Sequence, residues 1–210
     1  MLSQLDNIIF PDRCDVLEII PSQRYIYPIY KNGSSSLYNS GYRLVDHDEL
    51  KNIPIVDIYV RDPYDRFVSG VNTFLRHNIN LDSNTALHFI TNYLFLNNHF
   101  CPQFYWLLNL QRFTDAKIKI NPIGSLSEIT SINMNPIDSL PELNEKHDLI
   151  DENQNIDKIH FYLSLDKVLT EDLLGKTVPF KLIVKTIKHR YPNVYKEIIQ
   201  RSIDLCNVLG

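Results

Sequence analysis

Residues 25–38 read Tyr25-Ile26-Tyr27-Pro28-Ile29-Tyr30-Lys31-Asn32-Gly33-Ser34-Ser35-Ser36-Leu37-Tyr38. Tyr25 to Tyr30 is a run of aromatic and β-branched residues of the kind that forms a buried strand. Lys31-Asn32-Gly33 breaks it, and the hydroxyl residues that follow suit the first turn of a helix. A strand that passes through such a turn into a helix leaves the first helical N–H groups without intrahelical partners. Those groups and the helix dipole together favour an anion. Gly33 permits close backbone approach, Ser34, Ser35 and Ser36 add donors, and Lys31 adds a positive charge. Taken alone, the segment reads equally well as a serine-rich helix cap. Its lysine precedes the glycine, whereas the nucleotide P-loop places lysine after its second glycine. That order disfavours an ordinary ATP or GTP kinase.

Outward from this stretch, Gly41-Tyr42-Arg43-Leu44-Val45-Asp46 predicts a second strand and Ile55-Val56-Asp57-Ile58-Tyr59-Val60 a third. Arg61-Asp62-Pro63 ends the third strand and opens a helix from about Pro63 to Arg76, with proline suited to the first turn. Helices are predicted over Thr85 to Leu96 and Gln103 to Phe113. In the latter, Phe104, Tyr105, Trp106, Leu107 and Leu108 read as core rather than as an aromatic ligand platform. Ala116 to Ile123 fits a fourth strand, with Gly124 as its terminator. Ser125 to Asp157 is rich in Asn, Ser, Pro, Asp and Glu and predicts a long polar excursion. Ile159 to Leu209 reads mainly as helices broken by Gly175, Pro179 and Pro192. The alternation predicts a three-layer α/β fold with a parallel sheet of about four or five strands. It forms one domain over 1–210: a core at about 22–128, then the excursion and a helical part at about 129–210. Ligands of such sheets bind at the carboxyl ends of the strands, so the residues just after each strand are the candidates.

Composition sets limits. The 210 residues carry a formal net charge of -4, with 44% hydrophobic and 22% charged residues. Nothing here is basic enough to imply a nucleic-acid partner, so an anion site must come from local groups. Cys14, Cys101 and Cys206 have neither metal-ligand nor redox-motif spacing and read as reduced thiols. No basic region followed by an apolar run opens the chain, and no apolar stretch reaches the roughly 18 residues of a membrane span. The expectation is a cytoplasmic protein with no membrane segment.

Arg61-Asp62-Pro63-Tyr64-Asp65-Arg66-Phe67-Val68-Ser69-Gly70 supplies a second candidate anion site, since an arginine fork and a hydroxyl can share a phosphate. Together the two segments closely resemble the signatures by which the sulfotransferase superfamily binds 3'-phosphoadenosine 5'-phosphosulfate (PAPS). The first resembles the loop that grips the 5'-phosphosulfate. The second resembles the 3'-phosphate motif, in which a serine follows an arginine by eight residues, as Ser69 follows Arg61. His99-Phe100-Cys101-Pro102-Gln103 is similar to the H-x-x-P-Q segment of carbohydrate sulfotransferases of the heparan and chondroitin type. Asn121 to Glu128 is similar to the strand-end segment that follows it. The resemblance spans roughly 25–128 and implies a P-loop-kinase-like fold, PAPS as donor and no metal. Lys31, Asn32, Gly33, Ser34, Ser35, Ser36, Arg61 and Ser69 would bind the donor, and a carbohydrate hydroxyl would accept the sulfuryl group.

Transfer to a hydroxyl needs a base, and histidine suits neutral pH. His47 follows the second predicted strand and resembles the family's strand-ending catalytic histidine. Asp46, Asp48 and Glu49 are near enough in sequence to orient it. His99 is the second candidate base and Glu49 a third, whereas His77, His88, His147, His160 and His189 read as surface positions. Lys31 is placed to stabilise charge on the leaving oxygen. A non-catalytic nucleotide-binding module and a small-molecule kinase of P-loop type are the alternative readings.

Overall fold

Three of the predicted strands become neighbours in an open sheet whose parallel centre carries the two candidate anion-binding segments at one edge. The computed structural model describes residues 14–20, 22–77, 80, 85, 98–130, 156–197 and 200. Their strands are β1 (Leu17–Ile19), β2 (Arg24–Ile26), β3 (Arg43–Leu44), β4 (Ile55–Val60), β5 (Lys117–Pro122) and β6 (Thr177–Val178). The six strands lie in the order β3-β1-β2-β4-β5-β6. The helices are α1 (Ser34–Asn39), α2 (His47–Leu50), α3 (Pro63–His77), α4 (Gln103–Gln111), α5 (Ile156–Lys167) and α6 (Phe180–Arg190). A 3₁₀ turn covers Ile123–Glu128 and a π turn Val168–Asp172. The helix expected over Thr85 to Leu96, apart from Thr85, and most of the expected polar excursion lie outside the described residues.

The expected all-parallel sheet is corrected to a mixed one. Only β2–β4 and β4–β5 pair in parallel, the latter from Ile55 opposite Lys117 to Val60 opposite Pro122. β1 pairs antiparallel with both β2 and β3, and β6 pairs antiparallel with β5. The reason is connection length. A short reversal in which Gln23 takes a φ of 52° joins β1 to β2, and so short a link permits only an antiparallel neighbour. The strand expected over Gly41 to Asp46 shrinks to Arg43–Leu44 and lies at the outer edge, beyond β1.

The strongest strand alternates between two cores. Val56, Ile58 and Val60 point to one face and pack with Tyr27, Ile118, Ile120 and the α4 residues Phe104 and Leu108. Tyr59 points to the other, with Leu17, Ile26, the α1 residue Leu37 and Leu126 of the 3₁₀ turn. Period-two alternation with both sides apolar is the mark of a strand covered on both faces. From Gln103 to Leu110 every α4 residue is buried, which a helix sandwiched between the sheet and α5 requires.

α3 presents Pro63, Phe67, Gly70, Val71 and Phe74 inward. Gly70 is forced by close approach, because a Cβ there would lie 2.2 Å from the His99 carbonyl oxygen and 2.9 Å from the Phe100 Cβ. Gly70→Ala gains up to about 1 kcal/mol of helix propensity, and the overpacking cost of about 1–3 kcal/mol outweighs it. The expected result is a lower urea unfolding midpoint with an unchanged slope; a raised midpoint would refute the packing argument.

Candidate functional site

Beyond β2 the chain runs through Tyr27 to Tyr30 and turns sharply. Lys31 has a φ of 67° and Gly33 a φ of 75°. The left-handed region costs glycine little, but for lysine it is a strained choice that the surroundings must enforce. Asn32 enforces it. The side chain is 1% exposed and its Nδ2 donates to the Tyr59 carbonyl at 2.8 Å and to Gln103 Oε1 at 2.6 Å. Its backbone N–H closes onto the Ile29 carbonyl at 3.1 Å. Asn32 Oδ1 is buried with no hydrogen-bond partner among the described residues. The side chain expected to bind donor therefore braces the loop from behind, leaving Lys31, Gly33, Ser34 and Ser35 at the surface of the cavity described below.

The second segment starts where β4 ends, one strand away on the same sheet edge. Asp62 Oδ1 accepts from the Tyr64 and Asp65 N–H groups at 2.9 and 3.0 Å and caps α3. Arg66, one turn in, is 1% exposed. It donates from Nε to the Tyr30 carbonyl at 2.9 Å, from NH1 to the Cys101 carbonyl and from NH2 to the Asn98 carbonyl at 3.5 Å. Arg66 thus straps the chain before Lys31 to the loop that carries His99. Ser69 is half-buried on α3, and its carbonyl accepts from Thr73 Oγ1 at 3.2 Å. Thr73 Oγ1 in turn accepts from Lys31 Nζ at 2.5 Å, so the two sequence segments meet through Lys31, Thr73 and the turn of α3 that holds Ser69.

The third segment closes the arrangement. Gln103 is fully buried; its Oε1 accepts from the Arg61 N–H at 3.2 Å as well as from Asn32, and its Nε2 donates to the Arg61 carbonyl at 3.0 Å. Its own N–H and that of Phe104 donate to Asp166 at 2.6 and 2.9 Å. Asp166, from α5, is thus the cap of α4. Burial pushes its carboxyl up to about 6, against the lowering influence of Arg66 and the two amides.

These segments enclose a cavity of about 340 Å³ lined by Tyr30, Lys31, Gly33, Ser34, Ser35, Tyr38 and His99, within the size range of small-molecule sites. Its electrostatics are one-sided. Burial lowers the Lys31 pKa, and Arg76, Arg66 and Arg61 lower it further. Burial likewise lowers that of His99, assisted by Lys31, His77 and Arg66. Among the described residues neither Lys31 nor Arg61 joins an ion pair. The His99 ring lies 5.7 Å from that of Tyr30, which packs 4.9 Å from Trp106.

His47 is elsewhere. It is exposed at the start of α2, its ring edge-on to Phe113 at 5.0 Å, and it does not line the cavity. Ser36 also falls outside the lining; its carbonyl accepts from Ser40 Oγ at 2.7 Å. Arg61 and Ser69 lie near the cavity without lining it. Trp106 belongs to the core, as its helical setting predicts. Cys14 and Cys101 are buried, and burial raises their thiols to about 12 and about 11, which excludes a thiolate nucleophile at neutral pH. Sequence reading missed Arg66, Thr73 and Asp166 as parts of the site, and it named Gln103 only within the H-x-x-P-Q segment, with no part in the donor loops. A signal existed for one of them: Arg66 falls on the buried stripe of α3. No family model matches the chain, and no curated protein or solved structure matches it.

The raised Asp166 carboxyl has a stability consequence. Its folded value, about 6, exceeds the ordinary value of 3.8, so the folded state binds the extra proton and stability from this group grows as pH falls from 7 towards 5. Asp166→Asn removes that dependence. Wild type should gain about 1 kcal/mol on the variant between pH 7 and pH 5 in urea unfolding; a difference independent of pH would contradict it.

Proposed function

We propose that the chain is a sulfotransferase that moves the sulfuryl group of PAPS to an acceptor hydroxyl, first of all a carbohydrate hydroxyl, on a P-loop-kinase-like frame. The observation that carries this reading is the pairing of Lys31 and His99 on one cavity, with arginines near enough to lower the Lys31 pKa and, among the described residues, no carboxylate paired with Lys31. The donor-loop and 3'-phosphate resemblances suggest the donor's identity, and the cavity at Lys31, Gly33, Ser34 and Ser35 supports the reading at the phosphosulfate end. A phosphosulfate at Lys31 would supply a counter-charge where burial, and then the neighbouring arginines, lower its pKa. A 3'-phosphate would supply the partner that the Arg61 guanidinium lacks among the described residues.

PAPS, when bound, contributes the activated sulfur–oxygen bond. The remaining work falls to the chain. Lys31 and the N–H groups after Gly33 hold the phosphosulfate and neutralise charge that grows on the leaving phosphate oxygen. His99, kept neutral by burial and its cationic neighbours, takes the acceptor's proton. Its place on the cavity favours it as base over His47. The reading extends to a reducing, cytoplasmic setting, in keeping with the unpaired thiols of Cys14 and Cys101.

Transfer of labelled sulfate from PAPS to a panel of glycans, phenols and alcohols tests the activity. Turnover should drop about 100-fold or more in His99→Ala, with binding of 3'-phosphoadenosine 5'-phosphate retained, the range for a lost general base. His47→Ala should keep wild-type turnover. Lys31→Ala should lower both turnover and donor affinity. Since the His99 pKa lies below its ordinary 6.5, the acidic limb of the kcat/KM profile should fall below pH 6.5. No transfer to any acceptor class, together with stabilisation by ATP and magnesium rather than by 3'-phosphoadenosine 5'-phosphate, would overturn the reading in favour of a kinase.

A further inference from the structure

Gln103 touches the backbone or side chain of both donor segments yet is fully buried and cannot reach a ligand itself. On one side its Oε1 accepts from Asn32 at 2.6 Å, the residue that fixes the loop of Lys31. On the other, its side-chain amide exchanges two hydrogen bonds with the Arg61 backbone, at 3.2 and 3.0 Å. From behind, its N–H is held by Asp166 at 2.6 Å. A planar amide bonded on both sides fixes a separation, and here that separation lies between the two cations expected to hold the two ends of one ligand.

Building on the proposed donor site, we infer that Gln103 is a positioning residue that sets the spacing between the Lys31 and Arg61 anion subsites, with Asp166 holding it in register. A ligand with anionic groups at both ends gains from that spacing, because binding one end presents the other to its partner. A ligand with a single anionic group gains nothing from it. The inference therefore concerns a ratio of affinities, which a general loss of folded protein does not change.

The test uses the full chain, isothermal titration and two probes, adenosine 3',5'-bisphosphate and adenosine 5'-monophosphate. Wild type should bind the bisphosphate at least 10-fold more tightly. In Gln103→Met, an apolar replacement of similar length, that preference should collapse to about 2-fold or less while monophosphate affinity stays within about 2-fold. Asp166→Asn, which keeps one carbonyl oxygen for the α4 amides, should reduce the same preference to an intermediate value and serves as the readout if Gln103→Met does not fold. Equal weakening of both probes, or an unaltered preference in the variant that folds, would overturn the inference and leave the sulfotransferase reading standing. A wild type with no preference for the bisphosphate would overturn both.

Discussion

Two buried polar side chains, Arg66 and Gln103, hold the functional edge of the sheet together, and the rest of the site depends on them. Three chain segments leave the carboxyl ends of β2 and β4 and enter α4, each with carbonyl or N–H groups that no helix or strand satisfies. An unsatisfied buried group costs about 1–3 kcal/mol, so bare loops could not converge there. Arg66 serves carbonyls of Tyr30, Cys101 and Asn98, while Gln103 serves both backbone groups of Arg61 and the Asn32 amide. Convergence in turn demands room, which explains why α3 carries glycine at position 70, against the His99 carbonyl.

This clasp makes a second feature tolerable. Lys31 adopts a left-handed backbone conformation, a strain of order 1–3 kcal/mol, and does so beside three arginines that depress its pKa. Strain of that size is a sizeable part of a domain's net stability. Packing alone gives no reason to keep such an arrangement. The proposed phosphosulfate site would give one, because a bound anion would offset the repulsion.

The legible parts of the chain were those governed by local rules. β4 and β5, α3 and α4 fall close to their predicted bounds because period-two and helical apolar patterns are strong there. The turn after β2 was legible because Gly33 and the serines announce it. The edges of the sheet were not: β1, β3 and β6 are two or three residues long, too short for any periodicity to register. The strand-end rule then misled for His47. It assumed that Gly41 to Asp46 forms an interior strand leading to the site, whereas the real strand is an edge, and the following turn sets His47 against Phe113. His99 was named from its motif but ranked second, since sequence cannot show that Arg66 pulls its loop against the end of β2.

The C-terminal third shows why a motif can be readable while its support is not. Asp166 lies more than sixty positions from Gln103, in a segment that resembles nothing by sequence, yet it caps the helix on which Gln103 stands. A carboxylate in a fully buried position is tolerated only with compensating donors, and the two α4 amides and the nearby Arg66 provide them. Arg66 in turn is buried without a carboxylate in direct contact, so the field of Asp166 across the gap steadies both. The buried acid and the buried base thus stabilise one another through α4 rather than by a salt bridge. Among the described residues, the cations left without an ion pair at this sheet edge are Lys31 and Arg61, the pair to which the proposed reading assigns the donor. Had Asp166 paired instead with either of those, its carboxylate would neutralise a cation that the proposed reading assigns to the donor.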